Sequence, residues 1–247
     1  MITHTKAIIF KSVDYQESSK VVTMFTREHG KIALMVRSAK KPKSKFSGLI
    51  EIGNILDVVY YYKSSRSVQF LSEASYATKN RNLRNNFEKM ATMTSAIELI
   101  SQLLHDNEVN KPLFDFTEKM LSWLNETDIH PPKLFPYLQV RLSELTGIGL
   151  QISPRQTDTN TNYLNLETGL VSDESISSHS YKLTNNQFDY ISIALHSRSS
   201  VLFEIPFETG ELKALIEHLD RYLKYHVEGL KDRKSDAIFE QILQESI

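Results

Sequence analysis

Five short segments rich in β-branched and aromatic residues lie within the first 80 residues, and turn-forming residues separate them. This many strands in so short a stretch favour a small closed barrel over a flat sheet, because closure removes unpaired strand edges. We therefore predict a five-stranded OB-type β-barrel, with an SH3-like barrel as the alternative. The predicted strands span residues 6–13, 21–26, 31–38, 55–63 and 68–76.

The spacing of apolar residues changes to that of a helix from about residue 82 onwards. One face of the first long helix, which runs to about residue 105, is predicted to hold Leu83, Phe87, Met90, Thr94, Ile97 and Leu104. Between the helical segments lies a stretch rich in Ser, Thr, Asn and Asp, whose one hairpin-like motif is "NYLNLETGLVS". The predicted fold class is α+β and multidomain. We expect an OB-type barrel at 1–80, a helical domain at 81–149, a small irregular insert at 150–183, and helices that pack on the helical domain at 184–247.

The composition excludes several classes of site. The chain has no cysteine, which rules out disulfides, thiolate nucleophiles and cysteine-ligated zinc. Its eight histidines are scattered, with no HExxH motif or tight pair, so we expect neither a metal nor a cofactor. No apolar run approaches the length that crosses a bilayer, and no signal-peptide core is present, which favours a cytoplasmic protein without membrane contact.

Signature motifs of common enzymes are also missing, including GxSxG, GxxxxGK[ST] and GxGxxG. We therefore expect a protein that is not an enzyme. A hydrolase or nuclease that uses dispersed carboxylates is the alternative from that class.

Positive charge is concentrated near the N-terminus. Residues 1–80 hold 13 Lys and Arg against 6 Asp and Glu, whereas the remainder holds 16 against 24. No acidic residue lies between Glu28 and Glu51. Such a cationic module favours a polyanionic partner, although a solvated flexible loop would have a similar composition. The candidate contacts with a nucleic-acid backbone are Arg37, Lys40, Lys41, Lys43 and Lys45, together with Lys31 and with Arg27 in support.

Three consecutive tyrosines follow on the fourth predicted strand. Alternation along a strand places Tyr60 and Tyr62 on one face and Tyr61 on the other. Aromatic rings on an open barrel face can stack unpaired bases. We predict that Tyr60 and Tyr62 stack bases, with the alternative that Tyr61 fills the core while its two neighbours pack at an edge.

The order of these motifs resembles the RecO family of bacterial recombination mediators. The resemblance is strongest in "DYQESSKVVTMFTREHGK" and in the basic stretch that leads to "FSGLIE". It continues in "FPYLQVRLSELTGIGLQISP" and "LDRYLKYHVEGLK". It implies an N-terminal OB-fold, a helical bundle and an inserted zinc-finger-like subdomain.

The resemblance also implies a function in DNA repair and recombination. RecO-type proteins bind single- and double-stranded DNA, anneal complementary strands, and act with RecR to load RecA onto strands coated by SSB. They also bind the C-terminal tail of SSB, and they are not enzymes. The expected location is the cytoplasm, in association with the nucleoid. The alternative is an adaptor whose helical domain docks SSB and RecR while DNA binding is secondary, with Arg141 as the candidate partner contact.

One departure from the family pattern concerns zinc. Many members carry two cysteine pairs, whose counterparts here fall near Gln156, Thr159, Ser172 and Ser175. None of these side chains can replace a thiolate ligand. The insert therefore resembles a zinc-finger-like subdomain without ligands, which must be held together by packing.

Overall fold

Five strands close into a barrel in the computed structural model, which describes residues 1–153, 161–197, 200–208 and 210–245. The strand order is β1-β2-β3-β5-β4, and β4 pairs with β1 to complete the barrel. All neighbouring strands are antiparallel except β3 and β5, which are parallel. The prediction of a five-stranded OB-type barrel is confirmed. The strands are β1 (Ile2–Tyr15), β2 (Ser19–Thr26), β3 (Gly30–Val36), β4 (Ile55–Tyr61) and β5 (Val68–Thr78).

Three helices follow the barrel: α1 (Asn82–Asn85), α2 (Phe87–Leu103) and α3 (Lys111–Glu126). The Asn86 side chain caps α2 by accepting a hydrogen bond from the Lys89 backbone N–H. Asn110 caps α3 in the same way, and Pro112 occupies the first turn, where its missing N–H costs nothing.

The buried run in the middle of β1, residues 7–10, packs against the barrel interior on one face and against aromatic side chains on the other. Ala7 and Ile9 face the barrel interior. Phe10 is also buried, and its ring centroid lies 5.6 Å from that of Phe25, which in turn lies 5.3 Å from that of Phe114 on α3. The sequence of a strand that is covered on both faces is a continuous apolar run, whereas a strand covered on one face alternates apolar and polar residues. The helices thus cover one side of the barrel.

The apolar face predicted for the first long helix is partly wrong. Phe87 and Met90 are exposed by 55% and 38%, although their spacing indicated an inward position. The buried positions of α2 include Ala91, Ser95 and Ala96, whose small side chains allow close packing. Burial on more than one side of α2 hides the single apolar stripe on which the prediction relied.

The second part of the chain combines helices with a small sheet. Strands β6 to β9 form a four-stranded sheet in the order β6-β8-β7-β9. Its core draws on the sheet and the helices together, with Leu164, Val171, Tyr190 and Leu215 fully buried. The elements are α4 (Leu134–Leu145), β6 (Gln151–Ile152), β7 (Asn162–Asn165), β8 (Leu170–Ser172), β9 (Ser180–Leu183), α5 (Asn185–His196), α6 (Glu211–His226) and α7 (Asp236–Glu245), with 3-10 turns at Pro131–Lys133 and Ser200–Glu204.

The insert is more regular than its composition indicated. The hairpin-like motif forms β7 and β8, and the Asn165 side chain organises their turn by accepting hydrogen bonds from the backbone N–H groups of Glu167 and Thr168. Ser172 Oγ donates to the Glu174 carbonyl at 2.9 Å. Ser175 Oγ donates to the Ser177 carbonyl at 3.4 Å. The other two positions considered as counterparts of zinc ligands, Gln156 and Thr159, lie outside the described residues.

The chain divides into two compact units, Met1–Thr127 and Asp128–Ile247. The first unit holds the barrel with α1 to α3, and the second holds α4 to α7 with the small sheet. This boundary lies within 81–149, the range that the sequence pattern assigned to one helical domain. The four-part division stays a prediction.

Substitution of Gly30 tests the close contact between the barrel and the backbone of the chain segment that follows α2. Its φ is +66°, and a Cβ there would lie 1.8 Å from the Glu108 carbonyl oxygen. Gly48 has a similar φ of +72°, but a Cβ there would meet only the Tyr76 hydroxyl, at 3.7 Å, among the described atoms. We expect Gly48→Ala to lower the free energy of unfolding by about 1–2 kcal/mol through φ alone. Gly30→Ala should lower it by roughly 3 kcal/mol or more, because the backbone clash adds to the same cost.

Urea denaturation followed by circular dichroism checks this difference. Equal losses for the two variants would contradict the described contact between Gly30 and Glu108.

Candidate nucleic-acid interface

The segment between β3 and β4, residues 37–54, is here called the basic loop. It has no helix or strand, yet Ala39, Phe46, Leu49 and Ile50 are buried in the barrel core. Successive turns stabilise its backbone, with N–H groups that donate to carbonyls three residues earlier. The Lys40 N–H also donates to the Ser18 carbonyl in the β1–β2 turn, at 3.0 Å. The loop is therefore anchored to the barrel rather than free in solvent.

One end of the basic loop carries a cluster of three charges. Asp14 Oδ2 lies 3.0 Å from Lys40 Nζ, and Asp14 Oδ1 lies 3.0 Å from Lys20 Nζ. The hydrogen bonds from Lys40 and Lys20 lower the pKa of Asp14 below its ordinary value. Because this carboxylate stays charged at neutral pH, it compensates part of the positive charge that Lys40 and Lys20 present.

The other end of the predicted cation set lies over β5. Lys45 Nζ donates to the Ser72 carbonyl at 2.9 Å. The Arg37 guanidinium lies 4.8 Å from the centroid of the Phe70 ring, and the Arg66 guanidinium lies 5.6 Å from the same centroid. Guanidinium groups at such distances interact favourably with an aromatic ring and keep hydrogen-bonding capacity for an anion.

Lys41 and Lys43 lie between these two groups along the loop. Both are exposed, and neither has a carboxylate partner within the part of the chain that the structure describes. The five cations of the basic loop therefore extend from the β1–β2 turn to the outer side of β5. The structure brings together Arg37, Lys40, Lys41, Lys43 and Lys45 of the predicted set.

The structure separates Arg27 and Lys31 from this surface. Arg27 forms a two-pronged ion pair with Asp115 on α3, with Nε–Oδ1 at 2.9 Å and Nη2–Oδ2 at 3.2 Å. This pairing raises the pKa of Arg27. Arg27 therefore helps to hold the barrel to α3, and its predicted supporting contact with DNA stays a prediction.

Lys31 is likewise occupied by the helices. Its Nζ donates to the carbonyls of Ser101 and Leu104 at 2.9 and 2.6 Å, and it lies 3.3 Å from Asp106. A cation at the C-terminal end of a helix satisfies carbonyls that have no partner within the helix. Lys31 lies six residues before Arg37 on an extended strand, about 20 Å away. In the structure Lys31 caps α2, and its predicted contact with DNA stays a prediction.

The two tyrosines predicted to stack bases face inward. Tyr60 is fully buried, and its hydroxyl lies 2.6 Å from His29 Nδ1. Burial raises the pKa of Tyr60 to about 12 and lowers the pKa of His29. Tyr62 packs against the barrel core, and its ring stacks on His29 at a centroid distance of 3.7 Å. Tyr60 has no exposed face for a base, and Tyr62 already has a stacking partner.

Three outward residues near the basic loop were missed by the sequence prediction: Tyr61, Phe70 and Arg66. Tyr61 is 51% exposed and lies directly opposite Phe70 in the β4–β5 pairing. The charged residue Asp57, four positions before Tyr61 on β4, could have indicated this face. An exposed carboxylate at 57 requires residues 59 and 61 to point outward as well.

Arg141, the candidate partner contact, lies on α4 in the second unit. Its guanidinium is paired with Glu144 on the next turn of the same helix, and its side chain is 19% exposed. The structure thus gives Arg141 a local role within α4. Whether it also contacts a partner stays a prediction.

The described residues contain no group of three or more His, Asp or Glu that could hold a metal ion. None of their helices is both long enough and apolar enough to cross a membrane.

The amino-acid sequence is similar to that of recombination proteins of the RecO family. Residues 1–79 match the family described as Recombination protein O N terminal, and residues 84–236 match Recombination protein O C terminal. The DNA repair protein RecO of Salinibacter ruber is 33% identical over 147 residues, which cover 60% of this chain and 56% of that protein. RecO of Chlorobium limicola is 35% identical over the same coverage.

A third relative aligns along most of the chain. The DNA repair protein RecO of Halalkalibacterium halodurans is 26% identical over 239 residues, which cover 93% of both proteins. The matches to the first two relatives span little more than half of their length. The two family matches together cover most of residues 1–236. The chain therefore belongs to the RecO (recombination protein O) family.

Proposed function

We propose that this protein binds DNA through the basic loop and acts in DNA repair and recombination. The observation that carries the proposal is the anchored loop, whose apolar side chains enter the barrel core while Lys41 and Lys43 point into solvent. Such a fixed array of cations suits a polyanionic backbone, because binding releases the counterions that condense on phosphates. The names of the relatives, each a DNA repair protein, point to the same partner.

Contacts of this kind do not read sequence. Lysine ammonium groups recognise phosphates as point charges, and such contacts position a nucleic acid without selecting bases. The proposed partners are therefore both single- and double-stranded DNA.

Annealing of complementary strands is a second part of the proposal. Two single strands repel one another through their phosphates, and a cationic surface that holds both lowers this repulsion. The reaction breaks no covalent bond, so it needs no catalytic residue. We also propose, on family membership alone, that the protein acts with RecR, contacts the SSB tail, and helps RecA to load on SSB-coated strands.

Charge reversal at the two lysines without carboxylate partners tests DNA binding. In Lys41→Glu/Lys43→Glu, we expect affinity for a 25-nucleotide single strand and for the matching duplex to fall by about thirtyfold or more at 100 mM salt. Two lost phosphate contacts should also reduce the slope of log K against log salt by roughly 1.5. Fluorescence anisotropy over a salt series measures both quantities, and mixing of complementary strands measures annealing.

The matched control is Lys119→Glu/Lys182→Glu, which changes net charge equally at two exposed lysines outside the basic loop. Its affinity should stay within about threefold of the parent. Equal losses in both double variants would mean that net charge, and not the basic loop, governs binding.

A substitution of Asp14 is expected to raise the affinity for DNA, in contrast to the substitutions of Lys41 and Lys43. Removing its charge in Asp14→Asn frees Lys40 and Lys20, whose ammonium groups now lie 3.0 Å from the carboxylate oxygens. We expect DNA to bind about two- to fivefold more tightly, with a salt slope steeper by up to roughly 1 for each freed cation that reaches a phosphate. The same titration measures the change.

Asp57→Asn serves as the control, because it removes an exposed carboxylate on β4 that forms no ion pair with a cation of the basic loop among the described residues. Its effect should be less than half as large. Weaker binding by Asp14→Asn would show that the ion pair supports the DNA-binding conformation instead of masking charge.

A further inference from the structure

A row of outward apolar side chains crosses all five strands of the barrel. Outward positions on a barrel in water are ordinarily polar, because they are not covered by the core. Here Ile2, Val13 and Tyr61 are exposed by 57%, 46% and 51%, and the rest of the row is partly exposed. The row is formed by direct cross-strand neighbours in the order Val13, Val21, Met35, Phe70, Tyr61 and Ile2.

The aromatic part of this row is surrounded by cations. The guanidinium groups of Arg37 and Arg66 both lie within 6 Å of the Phe70 ring centroid. Lys45 reaches the Ser72 carbonyl, two residues further along β5. A purely apolar protein partner would leave these charges without compensation, whereas an anionic partner with flat apolar groups would satisfy both features.

The β4–β5 connection that carries Arg66 is held in place by a buried amide. Gln69 is 2% exposed, and its Oε1 accepts the Lys63 N–H at 2.9 Å. Its Nε2 donates to the carbonyls of Lys63 and Arg66 at 3.0 and 2.8 Å. The backbone at Arg66 is thereby fixed next to Phe70, so this arrangement is built before any ligand binds.

Single-stranded nucleic acid fits these features. A strand whose phosphates contact the basic loop would pass over β5 and β4, because Arg37 and Lys45 belong to the loop and reach β5. Unpaired bases expose flat faces that stack on aromatic rings, whereas in a duplex those faces are already covered by neighbouring base pairs.

We propose that Tyr61 and Phe70 stack the unpaired bases of a single strand whose phosphates contact Arg37, Arg66 and Lys45, and that this gives the protein a preference for single strands over duplex. The inference rests on the proposed DNA binding by the basic loop. It adds a specificity that phosphate contacts cannot supply.

Three labelled probes of 25 nucleotides distinguish the contribution of bases to binding from that of phosphates. They are oligo-dT, an abasic strand with the same backbone, and a duplex. The parent protein should bind oligo-dT more tightly than the abasic strand. Tyr61→Ala should weaken oligo-dT binding by about fivefold to a hundredfold, while affinity for the abasic strand and the duplex stays within about twofold. Tyr225→Ala, at a tyrosine of the second unit that is 52% exposed, is the matched control and should change none of the three affinities.

A second variant gives a direct signal of stacking. The chain has one tryptophan, so Tyr61→Trp adds one fluorophore at the proposed site. Its added emission should be quenched by oligo-dT and not by the abasic strand, and its affinity for oligo-dT should match that of the parent. This variant retains an aromatic ring at an exposed position, and it reports on the site even where the alanine variant folds poorly.

Several outcomes would overturn the inference: unchanged oligo-dT binding by Tyr61→Ala, equal losses on all three probes, or no selective quenching in Tyr61→Trp. Displacement of oligo-dT by a 25-residue polyglutamate peptide that itself loses affinity in Tyr61→Ala would also overturn it, because the row would then hold an acidic chain without bases. If the parent binds oligo-dT and the abasic strand equally while Lys41→Glu/Lys43→Glu weakens both, the base-stacking inference fails and the proposed function stands. If the parent binds none of the probes, both fail.

Discussion

Burial of the apolar side chains of the basic loop is the interaction on which the proposed DNA-binding surface depends. Two unit charges 8 Å apart in water repel by only about 0.5 kcal/mol, and salt screens more distant pairs. Full burial of each of Phe46, Leu49 and Ile50 contributes about 1.5–3 kcal/mol in the opposite direction. Five cations form ten pairs, whose repulsion at that separation amounts to at most about 5 kcal/mol, so the hydrophobic term is of similar size or larger. The fold can hold the lysines close together without a carboxylate for each, which leaves charge available for a ligand.

The arrangement of the barrel could be predicted because its signals are local. Short β-rich segments, turn residues and strand length are all visible along the chain, and every predicted strand overlaps an observed one. Predicting which side chains of a strand point inward requires a residue whose direction is already known. On β4 the charged residue Asp57 could have served for this, because a carboxylate is expected to face solvent. The sequence prediction assigned Tyr60 and Tyr62 to the open face, whereas in the structure Tyr60 is buried and Tyr61 is exposed. A single exposed carboxylate fixes the alternation of a whole strand, whereas tyrosine occurs on either face.

Features that depend on distant residues could not be predicted in this way. Arg27 and Lys31 lie next to the basic loop in the sequence, but their partners are Asp115 and the carbonyls at the end of α2, 70 to 88 positions away. The small sheet of the second unit is a similar case, since β6 and β8 have two and three residues and are stabilised by neighbours rather than by length. A chain without cysteines forms this sheet by burying Leu164 and Val171 and by hydrogen bonds to Asn165, so packing supports the region.

Lysine thus has two roles in the first unit: some lysines stabilise the fold, and others present charge to solvent. Which role a lysine has depends on the group that its ammonium contacts. Lys31 satisfies carbonyls at the end of α2, where its charge stabilises the fold and is largely unavailable to a ligand. Lys41 and Lys43 are exposed and contact no carboxylate among the described residues, so no described side chain compensates their charge. Lys40 is an intermediate case. Its charge is compensated by Asp14, but this ion pair lies at the surface and contributes little to stability. A phosphate can replace such a carboxylate at small cost. We therefore expect the affinity of the proposed surface for DNA to depend on the number of cations that the protein does not compensate itself, and not on the total of lysines and arginines in the barrel.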